Sequence, residues 1–258
     1  MAEGKKWGPS TTALHAGYSP VPMDMTPFRS FVPPVIQSAV YPLSDVDHYT
    51  RITHDIEPGY DYGRNSNPTV DVLHKRLAAL EGGEAALATP SGVHACFVVL
   101  HHLTKAGDEI LTSHRIFGEA YGMFYNMAPA KMDITTHLVE DPGDLDEWQA
   151  KITPETRFLW AETPSNPMLR IIDIAGLADV AHDGGALLCV DNTFASPYLQ
   201  QPLALGADVV MHSTTKYLGG HSDTLGGALV TADPDLHERF HFLHKTLGPV
   251  AGPFDAYL

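Results

Sequence analysis

The chain has 258 residues, 44% of them hydrophobic and 18% charged, enough to bury a large core as one big domain or two small ones. Its formal net charge of −15 argues against nucleic acid or an anionic membrane as partner, because both would repel it. No run nears the roughly 20 apolar residues of a membrane span, and MAEGKKWGPSTTALHAGYS at the start lacks the apolar core of a signal peptide. The expected setting is soluble, reducing and cytoplasmic. Cys96 and Cys189 stand in the apolar runs HACFVVL and ALLCVDN without CxxC spacing, and both read as small buried hydrophobes.

Residues 1–62 carry Pro20, Pro22, Pro27, Pro33, Pro34, Pro42 and Pro58 and little periodic apolar patterning. Such a segment reads as an extended arm lying on another surface, its own domain or a partner subunit. Residues 63–258 form one regular domain. Helical periodicity marks 69–82, 92–107, 118–128, 143–152 and 173–185. Between them and after them come short strand-like runs: DEILTS, DITTHLV, RFLWAE, ALLCVD, DVVMHST and GALVTA. Strands alternating with helices indicate an α/β domain with a mostly parallel sheet and right-handed crossovers. ALLCVD is apolar almost throughout, as a strand covered on both faces must be.

Ligands of open α/β sheets gather beyond the carboxyl ends of the strands. Polar groups follow three of these strands: AETPSNP after RFLW, DNTF after ALLCV, and HSTTKY after DVVM. Together they hold what a phosphate-bearing aldehyde cofactor needs. Lys216 follows an apolar strand, where desolvation favours a neutral, nucleophilic amine. Asp191 can pair with a protonated ring nitrogen. Ser91 and Gly92 open an apolar helix whose first N–H groups can receive phosphate, and Ser213 and Thr215 flank the lysine with hydroxyls.

The segments SGVHA, AETPSNP, VDNTFASPYLQ, HSTTKYLGGHSD and YGRNSNPT resemble the signatures of the pyridoxal-phosphate enzymes of cysteine and methionine metabolism. That family includes the cystathionine synthases and lyases, methionine γ-lyases and homoserine-ester sulfhydrylases. The likeness runs from about residue 12 to the last residue. It implies the large domain of a fold-type I, aspartate aminotransferase-like α/β enzyme, with an extended N-terminal arm. It implies pyridoxal 5'-phosphate held as an imine by Lys216, with Asp191 at the ring nitrogen and Asn166 at the phenolic oxygen. Ser91, Gly92, Val93, Ser213 and Thr215 would surround the phosphate or cap its loop. Tyr62 and Arg64 would reach the phosphate of a neighbouring subunit, making a dimer the minimum active unit and a homotetramer the expected assembly. Glu162 reads as structural.

The implied activity is elimination or replacement at the γ- or β-carbon of a sulfur-containing or γ-substituted amino acid. Two local departures stand out. Phe117 takes the place of a tyrosine that stacks on the cofactor and moves protons, and keeps only the stacking. Glu119 takes the place of a small residue near the substrate side chain, where it could meet a cationic distal group. Family chains also continue past a PFDAYL-like stretch into a smaller C-terminal domain that grips the substrate carboxylate. The expectation is therefore of a chain without that domain, and the alternative is a non-catalytic or partner-dependent cofactor-binding fragment. A nucleotide-binding reading fails for want of GxGxxG after an early strand. His237, His241 and His244 at i, i+4, i+7 spacing suggest a helix face more readily than a metal site.

Overall fold

The computed structural model describes residues 7–18, 31–54 and 56–258. Pro20, Pro22 and Pro27 of the arm lie outside them. The arm contains two short helices, α1 (Pro9–His15) and α2 (Val46–Thr53). Asp45 starts the second by accepting the His48 N–H at 2.7 Å, which is the work of an N-cap carboxylate. The arm is therefore helical in two places where its prolines suggested extended chain.

Its described part lies on the first long helix of the same chain, α3 (Pro68–Glu81). Asn67 caps that helix and donates through Nδ2 to the Ile36 carbonyl, while the Thr69 hydroxyl donates to the Pro34 carbonyl and accepts from the Ile36 N–H. Arg76 donates to the carbonyls of Leu14 and Ala16.

Strand β1 (Ala85–Thr89) leads into α4 (Gly92–Leu103), β2 (Glu109–Ser113) and α5 (Gly118–Tyr121). The chain then passes through a π-helical turn, Gly122–Met127, into α6 (Ala128–Met132). Next come β3 (Thr135–Val139), α7 (Leu145–Lys151), β4 (Thr156–Glu162), α8 (Ile174–Asp183), β5 (Leu187–Asp191) and α9 (Ser196–Leu199). The last elements are β6 (Val209–His212), β7 (Gly227–Thr231), α10 (Pro234–Leu247) and α11 (Pro253–Tyr257).

The strands form one seven-stranded sheet in the order β1-β7-β6-β5-β4-β2-β3. Only β7 runs against its neighbours. Helices α4 and α10 cover one face with Leu100, Phe240 and Leu243, against Phe158 and Trp160 of the sheet. Helices α7 and α8 cover the other with Trp148, Ile174 and Leu177, against Leu159 and Leu188. Both cysteines are fully buried, as their apolar setting suggested. Among the described residues no helix is long and apolar enough to cross a membrane.

The sheet order puts the ends of β4, β5 and β6 side by side. Glu162 pairs with Asp191 across β4 and β5, and Asp191 with Met211 across β5 and β6. His212 ends β6. All three terminal side chains are buried.

Candidate active site

Three loops meet beyond that row of strand ends. The loop after β5 begins at Asp191, whose Oδ1 accepts the Thr193 N–H at 3.0 Å and the Thr193 hydroxyl at 2.6 Å. The Thr193 hydroxyl oxygen accepts the Ser213 N–H at 2.8 Å. This relay ties Asp191 to the loop that carries Lys216. Burial raises the Asp191 carboxyl above the usual range, against the pull of the Thr193 bonds and of His212.

In the Lys216 loop, the Thr215 hydroxyl donates to the Gly226 carbonyl at 3.2 Å and accepts the Gly226 N–H at 3.0 Å. Thr215 therefore caps its loop. Lys216 is exposed, and its Nζ makes no hydrogen bond or ion pair among the described residues. It lines an open cleft of about 1060 Å³ with Asn166, Thr215, Phe194 and Tyr217.

The start of α4 packs against the same loop. Ser91 caps the helix by accepting the His94 N–H at 3.3 Å, and Val93 packs on the core. A Cβ on Gly92 would stand 2.9 Å from Ser213 Cβ, so only glycine lets these backbones approach. The N–H groups of the first turn have no partner within the helix.

Glu162 joins two loops. Its Oε2 accepts the Phe117 N–H at 2.6 Å and its Oε1 accepts the Asn166 N–H at 2.7 Å. One carboxylate thus fastens two residues singled out from the sequence. Burial, and then the neighbouring Asp191, push it up to about 7.

Below the strand ends lies a polar cluster that the sequence did not disclose. Glu81 Oε1 accepts from His212 Nε2 at 2.5 Å and from Asn192 Nδ2 at 2.9 Å, and the Glu81 and His212 side chains are fully buried. Gln200 extends the cluster, donating to Asn192 Oδ1 at 2.9 Å and to the Thr163 carbonyl at 2.8 Å. No sequence signal marks Glu81, which ends an ordinary helix 131 residues before its partner.

Three predicted residues, Tyr62, Arg64 and Glu119, are outside the Lys216 cleft. Arg64 lies over the Tyr62 ring at 5.3 Å and donates to the Lys245 carbonyl. It lines a different cleft, with Asp61, Lys75 and Lys245. Glu119 is exposed in the first turn of α5. The three α10 histidines make a ring ladder, 6.0 Å between His237 and His241 and 6.4 Å between His241 and His244. His244 donates through Nε2 to the Ala88 carbonyl. Among the described residues no group of three or more His, Cys, Asp or Glu side chains could hold a metal ion.

The donor set fits pyridoxal phosphate: a buried carboxylate for a protonated ring nitrogen, helix N–H groups and a hydroxyl for a dianion, and an amine without a partner. Residues 10–258 match the family model described as Cys/Met metabolism PLP-dependent enzyme. Over 251 residues the chain is 43% identical to cystathionine gamma-synthase of Mycobacterium bovis, covering 97% of this chain and 61% of that protein. It is 40% identical to the probable cystathionine gamma-synthase of Herpetosiphon aurantiacus, covering 98% and 74%. It is 39% identical to human (Homo sapiens) cystathionine gamma-lyase, covering 96% and 58%. The crystal structure of metB from Corynebacterium glutamicum superposes with a TM-score of 0.89 at 38% identity, over 97% of this chain and 62% of that one. The chain thus spans about three fifths of the length of most of these relatives. It belongs to the Cys/Met metabolism PLP-dependent enzyme family.

Proposed function

We propose that this chain binds pyridoxal 5'-phosphate covalently at Lys216 and serves elimination or replacement at the γ- or β-carbon of an amino acid of the cystathionine, methionine or homoserine-ester type. The carrying observation is the hydrogen-bonded continuity from Asp191 through Thr193 to Ser213 and the Lys216 loop. Bound there, the cofactor supplies a sink for the electron density released at the substrate α-carbon.

The chain's own residues do the rest. Asp191, desolvated and held by Thr193, keeps a proton on the ring nitrogen. Gly92, Val93 and Ser213 hold the phosphate, with Ser91 and Thr215 fixing the loops that present them. Asn166 orients the ring's phenolic oxygen, and Phe117 covers a ring face. Lys216 Nζ takes the α-proton and returns it farther along the substrate chain. Tyr62 and Arg64 serve the phosphate of a neighbouring subunit in a dimer or tetramer. The separate cleft that Arg64 lines in this chain supports that reading, as does the two-pronged fit of guanidinium to phosphate. Glu119, whose carboxylate has no hydrogen bond among the described residues, meets a cationic distal group of the substrate.

The test is a visible absorption titration with pyridoxal phosphate, comparing wild type with Lys216→Ala, followed by cystathionine, methionine and homoserine esters. Reading the chain as an enzyme component requires a band that the variant loses and that at least one amino acid shifts. A band that no amino acid moves would leave a binding fragment without activity. In Glu119→Gln, KM should rise selectively for cationic substrates; an equal rise for neutral ones removes that assignment.

A further inference from the structure

The carboxylate of Glu162 joins the loops that follow two neighbouring strands of the sheet, β2 and β4. Phe117 follows β2, and Asn166 follows β4 in the turn that also holds Pro164 and Pro167. These loops share no strand pairing with one another at these residues. Among the described residues Glu162 links them, using one oxygen for each N–H. The side chain is buried, so water does not compete for either bond. A buried carboxylate is costly unless its lone pairs are met, and here the two donors are backbone groups of residues assigned to the cofactor ring. The titratable groups that face it are Asp191 from β5 and, across the α4 packing, Cys96, whose thiol feels both carboxylates.

We propose that Glu162 is a positioning residue: it sets the Phe117 ring and the Asn166 amide on their two sides of the pyridoxal-phosphate ring by clamping both backbones with one carboxylate. This rests on the function proposed above. It assigns to Glu162 a part in cofactor geometry beyond support of the fold.

The substitution Glu162→Gln is nearly isosteric but replaces one acceptor oxygen by an NH₂, which would face a backbone N–H. One of the two loops must then let go. In the cofactor-free chain, amide hydrogen exchange at Phe117 and Asn166 reads the clamp directly. At least one of the two should exchange tenfold or more faster in Glu162→Gln, while core amides such as Leu188 and Val190 keep the wild-type rate. Pyridoxal phosphate affinity should fall about tenfold, and the visible circular dichroism of the bound cofactor, which reads ring orientation, should change in shape. Glu162→Asp, which keeps both oxygens on a shorter arm, should recover part of each signal.

Unchanged exchange at both amides would overturn the clamp. Faster exchange with affinity and dichroism within twofold of wild type would overturn its role toward the cofactor. A uniform rise in exchange, core amides included, would mean a purely structural role and also overturn it. A wild-type chain that binds no pyridoxal phosphate, yet shows the expected exchange pattern, would instead overturn the underlying assignment of the site.

Discussion

Replacing Glu81 by alanine tests the least visible part of the site. The Glu81 and His212 side chains are both inaccessible to solvent, and Glu81 Oε1 serves two donors, His212 Nε2 and Asn192 Nδ2. Truncation leaves the His212 donor without any acceptor; Asn192 keeps its second bond, to the Gln200 carbonyl at 2.9 Å. An orphaned buried donor costs about 1–3 kcal/mol. The expected loss is about 3 kcal/mol, a large share of the roughly 5–15 kcal/mol that holds a typical domain.

The measurement is equilibrium urea unfolding followed by far-ultraviolet circular dichroism, for wild type, Glu81→Ala, His212→Ala and the double variant. Either single substitution breaks the pair, so the double variant should cost clearly less than the sum, with a coupling of about 2 kcal/mol or more. Because His212 leads directly into Ser213 and Lys216, Glu81→Ala should also weaken pyridoxal phosphate binding although Glu81 touches no predicted cofactor contact. A loss below about 1 kcal/mol with additive singles would refute the reasoning.

Two further perturbations probe the same region. Gly92→Ala puts a Cβ 2.9 Å from Ser213 Cβ; it should weaken pyridoxal phosphate binding about tenfold, whereas Gly122→Ala, with open space around the added atom, should not, as absorbance titration will show. Stability should respond to pH in two opposed windows. Glu162 lies near 7 against an ordinary value of 4.5, so the folded chain holds the extra proton between those values and stability falls as pH rises through them, by about 3 kcal/mol at most. His74 and His244 are depressed to about 3 and about 4, chiefly by burial, so the unfolded chain takes up protons first and stability is lost as pH falls below 6.5. Melting temperature against pH should rise from acid to a maximum and then decline, and Glu162→Gln should flatten the decline alone.

The alternation of helices and strands over 69–232 was legible because each element carries its own period. Ala85–Thr89 was not read as a strand, since AALAT offers three alanines and no β-branched residue but Thr89 and reads equally as the end of a helix. The reversed direction of β7 was also hidden. Its connection from β6 holds no crossover helix, and the chain returns beside the strand it left. Lys216 and Asp191 stood out as ionisable groups placed after apolar strands and Ser91 as the start of an apolar helix, while the role of Asn166 came from the family resemblance. Glu162 lies in the same motif, but its two backbone N–H partners, one of them 45 residues away, could not be read from it. Backbone donors leave no trace in residue type.

The three strand ends explain why such hidden partners are needed. The buried ends of these adjacent strands carry Glu162, Asp191 and His212; Asp191 raises Glu162, while the His212 imidazole lowers Asp191 against the upward push of burial. Without fixed partners a row of this kind would expel its charges by protonation or by loop movement. Each member is instead tied by groups outside the row: Glu162 by two backbone N–H groups, Asp191 by Thr193, His212 by Glu81. The connections that follow β4, β5 and β6 also hold a non-glycine residue at positive φ, Leu169, Ser196 at the start of α9, and Ser222, a conformation that costs roughly 1–2 kcal/mol each. The two apolar layers on either side of the sheet supply the stability that tolerates this concentration of cost. A protonated ring nitrogen set against Asp191 would add the one favourable charge contact the row lacks, so cofactor binding and folding stability should rise together. Titrating pyridoxal phosphate should accordingly raise the melting temperature of wild type more than that of Asp191→Asn, and equal shifts would break this link between the row and the cofactor.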